Sequence, residues 1–123
     1  MTLSERDALD FLKAAFTASV ADDAPDLTAR QSAILMVVAL EAGPHTVRGL
    51  AARLDLSKPV ITRALDKLEG LGLVRRVSDE QDLRSVFIER TQEGSAFLRA
   101  MVSPICGGST RRKKPAKGIS RAA

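Results

Sequence analysis

Two residues, Asp55 and Leu56, are all that separate one amphipathic helix from the start of the next. Leu50, Ala51 and Leu54 make the inner side of the first helix, 47–54, which Thr46 caps. Ser57 is placed to cap the second, because its hydroxyl can accept from a first-turn amide. Pro59 is tolerated there, since a first-turn amide has no helical partner to lose. Ile61, Ala64, Leu65 and Leu68 then recur at helical spacing. Lys58, Pro59, Thr62, Arg63, Asp66 and Lys67 fall on the other side. A connection this short forces the helices to cross at a steep angle, with Leu56 packed between them, which is a helix-turn-helix arrangement.

The flanking segments extend the pattern. Gly70-Leu71-Gly72 ends the second helix. Residues 73–77 and 86–90 alternate as strands, and the polar run 78–85 between them makes a hairpin, or wing. Upstream, Thr28-Ala29-Arg30-Gln31 is a capping box. The helix it opens runs to about Ala42, with Gly43 as a left-handed stop and Pro44 as a block. Ile34, Leu35, Val37, Val38 and Leu40 make it the central core helix. His45-Thr46-Val47 reads as a stub of strand. A first helix over 4–20, capped by Ser4, carries the wide apolar face Ala8, Leu9, Leu12, Ala15, Phe16 and Val20, with Phe11 beside it. Thr91 caps a last helix, roughly 92–103, ended by Pro104 and the Gly107-Gly108 pair. The fold expected is mainly α with a small β wing, a winged helix-turn-helix. It divides into an N-terminal helix and loop (1–26), a central domain (27–91), a C-terminal helix (92–106) and a disordered basic tail (107–123).

Charge is informative by position rather than in total. The net +4 conceals three basic and seven acidic residues over 1–44, nine and seven over 45–90, and six basic with none acidic over 111–123. The high isoelectric point thus belongs to the tail, and the local excess over 45–90 is the evidence that bears on a polyanionic partner. With four Phe and no Tyr or Trp, the stacking platforms of single-strand binders are excluded. No nucleophile–base set, paired carboxylates in an apolar setting or phosphate-binding glycine loop points to an enzyme. One His and one Cys, far apart, do not make a metal site, and no cofactor is expected. Cys106 alone excludes an internal disulfide, and a redox role would need an electropositive, partly exposed thiol. No run suits a membrane span or a signal peptide, so the cytoplasm is the compartment expected.

The ordered series of motifs from Leu27 to Leu98 resembles the MarR family of bacterial transcription regulators. Leu27-Thr28 with Gln31 is similar to the opening of that family's second helix. Leu50-Ala51-x-x-Leu54, Ser57-Lys58, Arg63, Asp66-Lys67-Leu68-Glu69 and Gly72-Leu73-Val74-x-Arg76 continue in register. Asp79-x-x-Asp82-x-Arg84 is similar to its wing, and Thr91-x-x-Gly94 to its close, with Arg90 where Leu is more usual. The resemblance implies a homodimer on a pseudo-palindromic double-stranded DNA operator, acting as a repressor relieved by a small-molecule effector. Ser57, Lys58, Pro59, Val60, Thr62 and Arg63 would face the major groove and Arg84 the minor groove. Lys67 and Arg76 are further contacts expected; Arg75 or Arg76 touches phosphate, or else pairs with Asp79 or Glu80. Asp82 orients Arg84 or caps the wing turn. His45 meets phosphate or is an inert loop residue, and the tail adds nonspecific phosphate contacts or only solubility. The chain departs from the family in having no long amphipathic helix after Pro104, which leaves helices 4–20 and 92–103 to make any dimer. A different class of function, a winged-helix module that binds another regulator through the acidic residues 1–44, fits the same pattern.

Overall fold

The computed structural model describes residues 2–20, 23–82 and 84–106, which form two compact units. The larger unit, residues 25–98, opens with helix α2 (Ala29–Leu40). Both arms of its capping box are made: Thr28 Oγ1 accepts from the Gln31 amide at 3.1 Å, and Gln31 Oε1 from the Thr28 amide at 2.9 Å. Ile34, Leu35, Val37 and Val38 are buried, but Leu40 is 76% exposed, against the core position expected for it. At about 3.6 residues per turn, Leu40 falls on the side of the helix away from Ile34 and Val38. The stop also differs from the one expected. The helix ends at Leu40 and the backbone of Glu41 is already extended, so Gly43 adopts no left-handed conformation. The Glu41 side chain accepts from Arg53 Nε at 2.8 Å and Nη2 at 2.6 Å.

Helix α3 (Val47–Leu54) is capped by Thr46 and buries Leu50. Asp55 then takes the left-handed conformation that ends it (φ 58°). Leu56, half-buried, packs against the core as the short connection requires. Helix α4 (Lys58–Gly70) starts on the Ser57 cap, whose Oγ accepts from the Val60 amide at 3.3 Å. Its inner stripe, Ile61, Ala64, Leu65 and Leu68, is buried as the spacing predicts. Gly72, at φ +80°, makes the reversal into the hairpin, which an L side chain would resist. Strands β1 (Val74–Ser78) and β2 (Val86–Arg90) pair antiparallel, with Val74 opposite Arg90 and Ser78 opposite Val86. The expected stub at 45–47 is one bridge only, His45 to Ile88, because Val47 already belongs to α3.

Helix α5 (Gln92–Val102) begins in this unit and passes into the other at Arg99. Thr91 Oγ1 donates to the Gly72 carbonyl at 2.6 Å and accepts from the Gly94 amide at 2.9 Å. One hydroxyl thus ties the start of α5 to the turn before β1. The smaller unit holds helix α1 (Glu5–Ser19) and residues 99–106. Ser4 caps α1, accepting from the Asp7 amide at 3.0 Å. No residue of α1 is buried, and Leu9, Leu12 and Phe16 are each more than half exposed. The basic tail at 107–123 lies outside the described residues.

Candidate nucleic-acid interface

The inner face of α4 is committed to the core, so its outer face is presented by default. Ser57, Lys58, Pro59, Thr62, Arg63 and Lys67 are exposed and Val60 is half-buried. The first half of that face holds short side chains, which lets a helix approach base edges closely. Lys58, Arg63 and Lys67 make no ion pair with another described residue. Their charge is therefore uncompensated where a phosphate backbone would be met.

The wing is built by Asp82. Its Oδ1 accepts from the Arg84 amide at 3.1 Å, and its Oδ2 from Ser85 Oγ at 3.3 Å. The Ser85 amide closes the turn on the Asp82 carbonyl at 2.8 Å, and the Asp79 amide donates to Ser85 O at 3.0 Å. Arg84 projects from this turn with a side chain 93% exposed, in a loose 3.5 Å contact with Asp82 Oδ1. Both roles weighed for Asp82, capping the turn and steadying Arg84, are met by one carboxylate. A contact this exposed contributes little and yields readily to a phosphate or a groove floor.

The other basic residues are engaged. Arg75 crosses the hairpin to Glu89, donating from Nε at 3.3 Å and Nη2 at 3.2 Å. Arg76 reaches back to α4: Nη2 donates to Asp66 Oδ1 at 2.9 Å, and Nη1 to Glu69 Oε1. Neither pairs with Asp79 or Glu80, the partners expected from proximity in the chain. Burial works against the Arg76 charge, but the hydrogen bonds it donates to Asp66 and Glu69 still hold its pKa above the ordinary arginine value. Asp66 and Glu69, to which the sequence analysis assigned no role, are the residues that sequence reasoning undervalued. Their spacing of three on one helical face was the available signal. His45 is half-buried, its Nε2 lies 2.9 Å from the Glu41 carbonyl, and its backbone carbonyl accepts from the Ile88 amide at 2.8 Å.

Other chemistry has little material. An open cleft of about 380 Å³ beside the sheet edge is lined by Val38, Pro44, His45, Phe87 and Arg90 among others. Arg90 donates from Nη1 to the Ala39 carbonyl at 3.3 Å. Cys106 is free and exposed. Among the described residues no cluster of His, Cys, Asp or Glu could hold a metal ion, and no helix is long and apolar enough to cross a membrane.

A capped helix set on a short turn, followed by a hairpin bearing an exposed arginine, defines a winged helix-turn-helix protein. Residues 26–85 match the model of the MarR family. Over those residues the chain is similar to that family's regulators. It is 34% identical over 86 residues to the transcriptional regulator HosA of Escherichia coli O157:H7, covering 70% of this chain and 63% of HosA. It is 33% identical over 78 residues to the HTH-type transcriptional regulator PecS of Dickeya dadantii, covering 62% of this chain and 47% of PecS. The chain thus spans less than two thirds of the length of these relatives. Among solved structures, the MarR family transcription regulator SP03579 superposes with a TM-score of 0.62 at 25% identity, over 84% of this chain and 66% of that one. The Staphylococcus aureus MepR–DNA complex superposes at 0.68 and 23% identity, over 81% of this chain and 73% of that one, and supports the fold.

Proposed function

We propose that the chain is a sequence-specific double-stranded DNA-binding transcriptional regulator that reads its operator with α4 and the wing. The observation that carries this reading is the contrast among its basic residues. Lys58, Arg63, Lys67 and Arg84 project without strong partners, while Arg75 and Arg76 are held by carboxylates. In this reading Arg63 makes a bidentate contact to guanine, Val60 meets a thymine methyl, and Ser57, Lys58, Pro59 and Thr62 fit the α4 start into the major groove. Lys67 neutralises phosphate. Arg84 enters an adjoining narrow minor groove, whose negative potential attracts guanidinium.

The operator is pseudo-palindromic because two copies bind it, joined through the apolar stripe of α1, which is exposed in the single chain. The regulator is a repressor, relieved by a small-molecule effector; the match of residues 26–85 to the family model supports this part of the reading. The direct test is binding-site selection from a random duplex pool, followed by footprinting of the selected site. Protection of two half-sites about one helical turn apart is the outcome expected. Recovery of no sequence preference at any salt concentration would overturn the proposal.

A further inference from the structure

Arg76 stands on β1 opposite Ile88 in the register. At that pair the two amides point away from each other: Ile88 donates to the His45 carbonyl, and Arg76 to Glu69 Oε2 at 3.4 Å. Glu69 therefore grips β1 twice, by the backbone at its outer edge and by the guanidinium of the same residue. Asp66, one turn earlier on α4, holds the other end of that guanidinium. The Arg76 side chain is only 26% exposed, whereas Asp66 is 63% exposed on the outer side of α4. Three charged groups thus bridge the C-terminal half of the helix to the strand that carries the wing.

We infer that Arg76 is a positioning residue: the Asp66–Arg76–Glu69 clamp fixes the wing relative to α4, so that Arg63 and Arg84 address DNA as one rigid unit. The inference rests on the proposed DNA reading and assigns Arg76 a different part in it from a phosphate contact. Two groove contacts borne on separate elements bind as a pair only if their spacing is set beforehand; otherwise the ordering entropy falls on the complex. The clamp has a second effect. It offsets one of the two carboxylate charges that Asp66 and Glu69 would otherwise turn toward the phosphates from the recognition helix.

A positioning role and a contact role make opposite predictions for charge changes. Removing the carboxylates makes the surface more positive, so a contact role predicts that Asp66→Asn/Glu69→Gln binds DNA more tightly. The clamp predicts that it binds more weakly, in the same direction as Arg76→Gln. Arg76→Lys keeps the charge, and lysine serves well on phosphate, but a point charge cannot bridge two carboxylates as a planar fork does. The experiment is a set of binding isotherms for the wild-type chain and these three variants. The probe is a duplex that the wild type has selected from a random pool, and folding of each variant is checked by thermal melting.

The expected result is weakening of about tenfold for both Arg76→Lys and Asp66→Asn/Glu69→Gln, typical for breaking a small coupled network. In the Arg76→Lys background, Arg84→Ala should also cost less than it does in the wild type, because a loose wing no longer delivers Arg84. Wild-type affinity for Arg76→Lys, or tighter binding by the carboxylate variant, would overturn the clamp. Failure of the wild type to select any duplex would instead count against the DNA reading. In that case the clamp is read from hydrogen exchange of the free protein. Faster exchange at the Asp79 and Ser85 amides in Arg76→Lys supports it, and unchanged exchange refutes it.

Discussion

At Gly94 a single hydrogen decides whether α5 can dock. A Cβ there would lie 2.2 Å from the Leu73 carbonyl oxygen, a backbone atom that cannot swing aside. Gly94→Ala must push the start of α5 off the turn that Thr91 ties to Gly72. The expected loss is about 1–3 kcal/mol, read as a lower urea midpoint with an unchanged slope. The glycine itself was readable in the sequence as part of Thr91-x-x-Gly94, but its reason was not, because the crowding atom lies 21 residues away. The same distinction separates Asp82 from Arg76. The partners of Asp82 are two and three residues along the chain, and its place in the wing follows from local turn chemistry. The partners of Arg76 are seven and ten residues back, across a helix end, and only the docking of β1 beside α4 selects them over the nearer Asp79 and Glu80.

Element boundaries followed the caps. Thr28, Thr46, Ser57 and Ser4 each accept from the amide three residues on, so four helix starts were legible from hydroxyl placement alone. The helix ends were less so. Asp55 takes the left-handed turn that a glycine would have signalled, and Gly43 does not. Just past the early end of α2, Glu41 pairs with Arg53 of α3, a contact that local pattern does not contain. That pair holds the Glu41 carboxyl below its ordinary range, chiefly through the Arg53 hydrogen bond. Among the caps, Ser57 bears most on the proposed DNA reading, in which the start of α4 meets the bases. Ser57→Ala should cost about 1 kcal/mol of stability by loss of a first-turn partner. Faster hydrogen exchange at the Val60 amide, ahead of the rest of α4, is the local signature that checks it.

For the whole molecule, the unresolved demand is the apolar surface of α1. Leu9, Leu12 and Phe16 repeat at helical spacing and remain 55%, 53% and 56% exposed. Isolated exposed apolar residues are ordinary, but a contiguous stripe on one helix is the mark of an interface. If a second copy covers it, light scattering of the full chain gives twice the mass of one chain. Leu12→Glu/Phe16→Glu then gives a single-chain mass, and DNA affinity falls steeply because two half-sites no longer act together. A single-chain mass for the wild type at micromolar concentration would contradict the two-copy operator reading. The stripe was plain in the sequence; the exposure of Leu9, Leu12 and Phe16 was visible only in three dimensions.

The central claim is that α4 and the wing read DNA by different grooves. It is tested most directly by titrating the wild-type chain, Arg63→Ala and Arg84→Ala against the selected duplex and against duplexes altered one base pair at a time. The account predicts that Arg63→Ala loses about 1–3 kcal/mol and becomes indifferent to the base pair it reads in the major groove. Arg84→Ala should lose a comparable amount and become indifferent to the A/T content of the flanking minor groove instead. Equal losses on every duplex for both variants, with no base-pair preference relaxed in either, would contradict it.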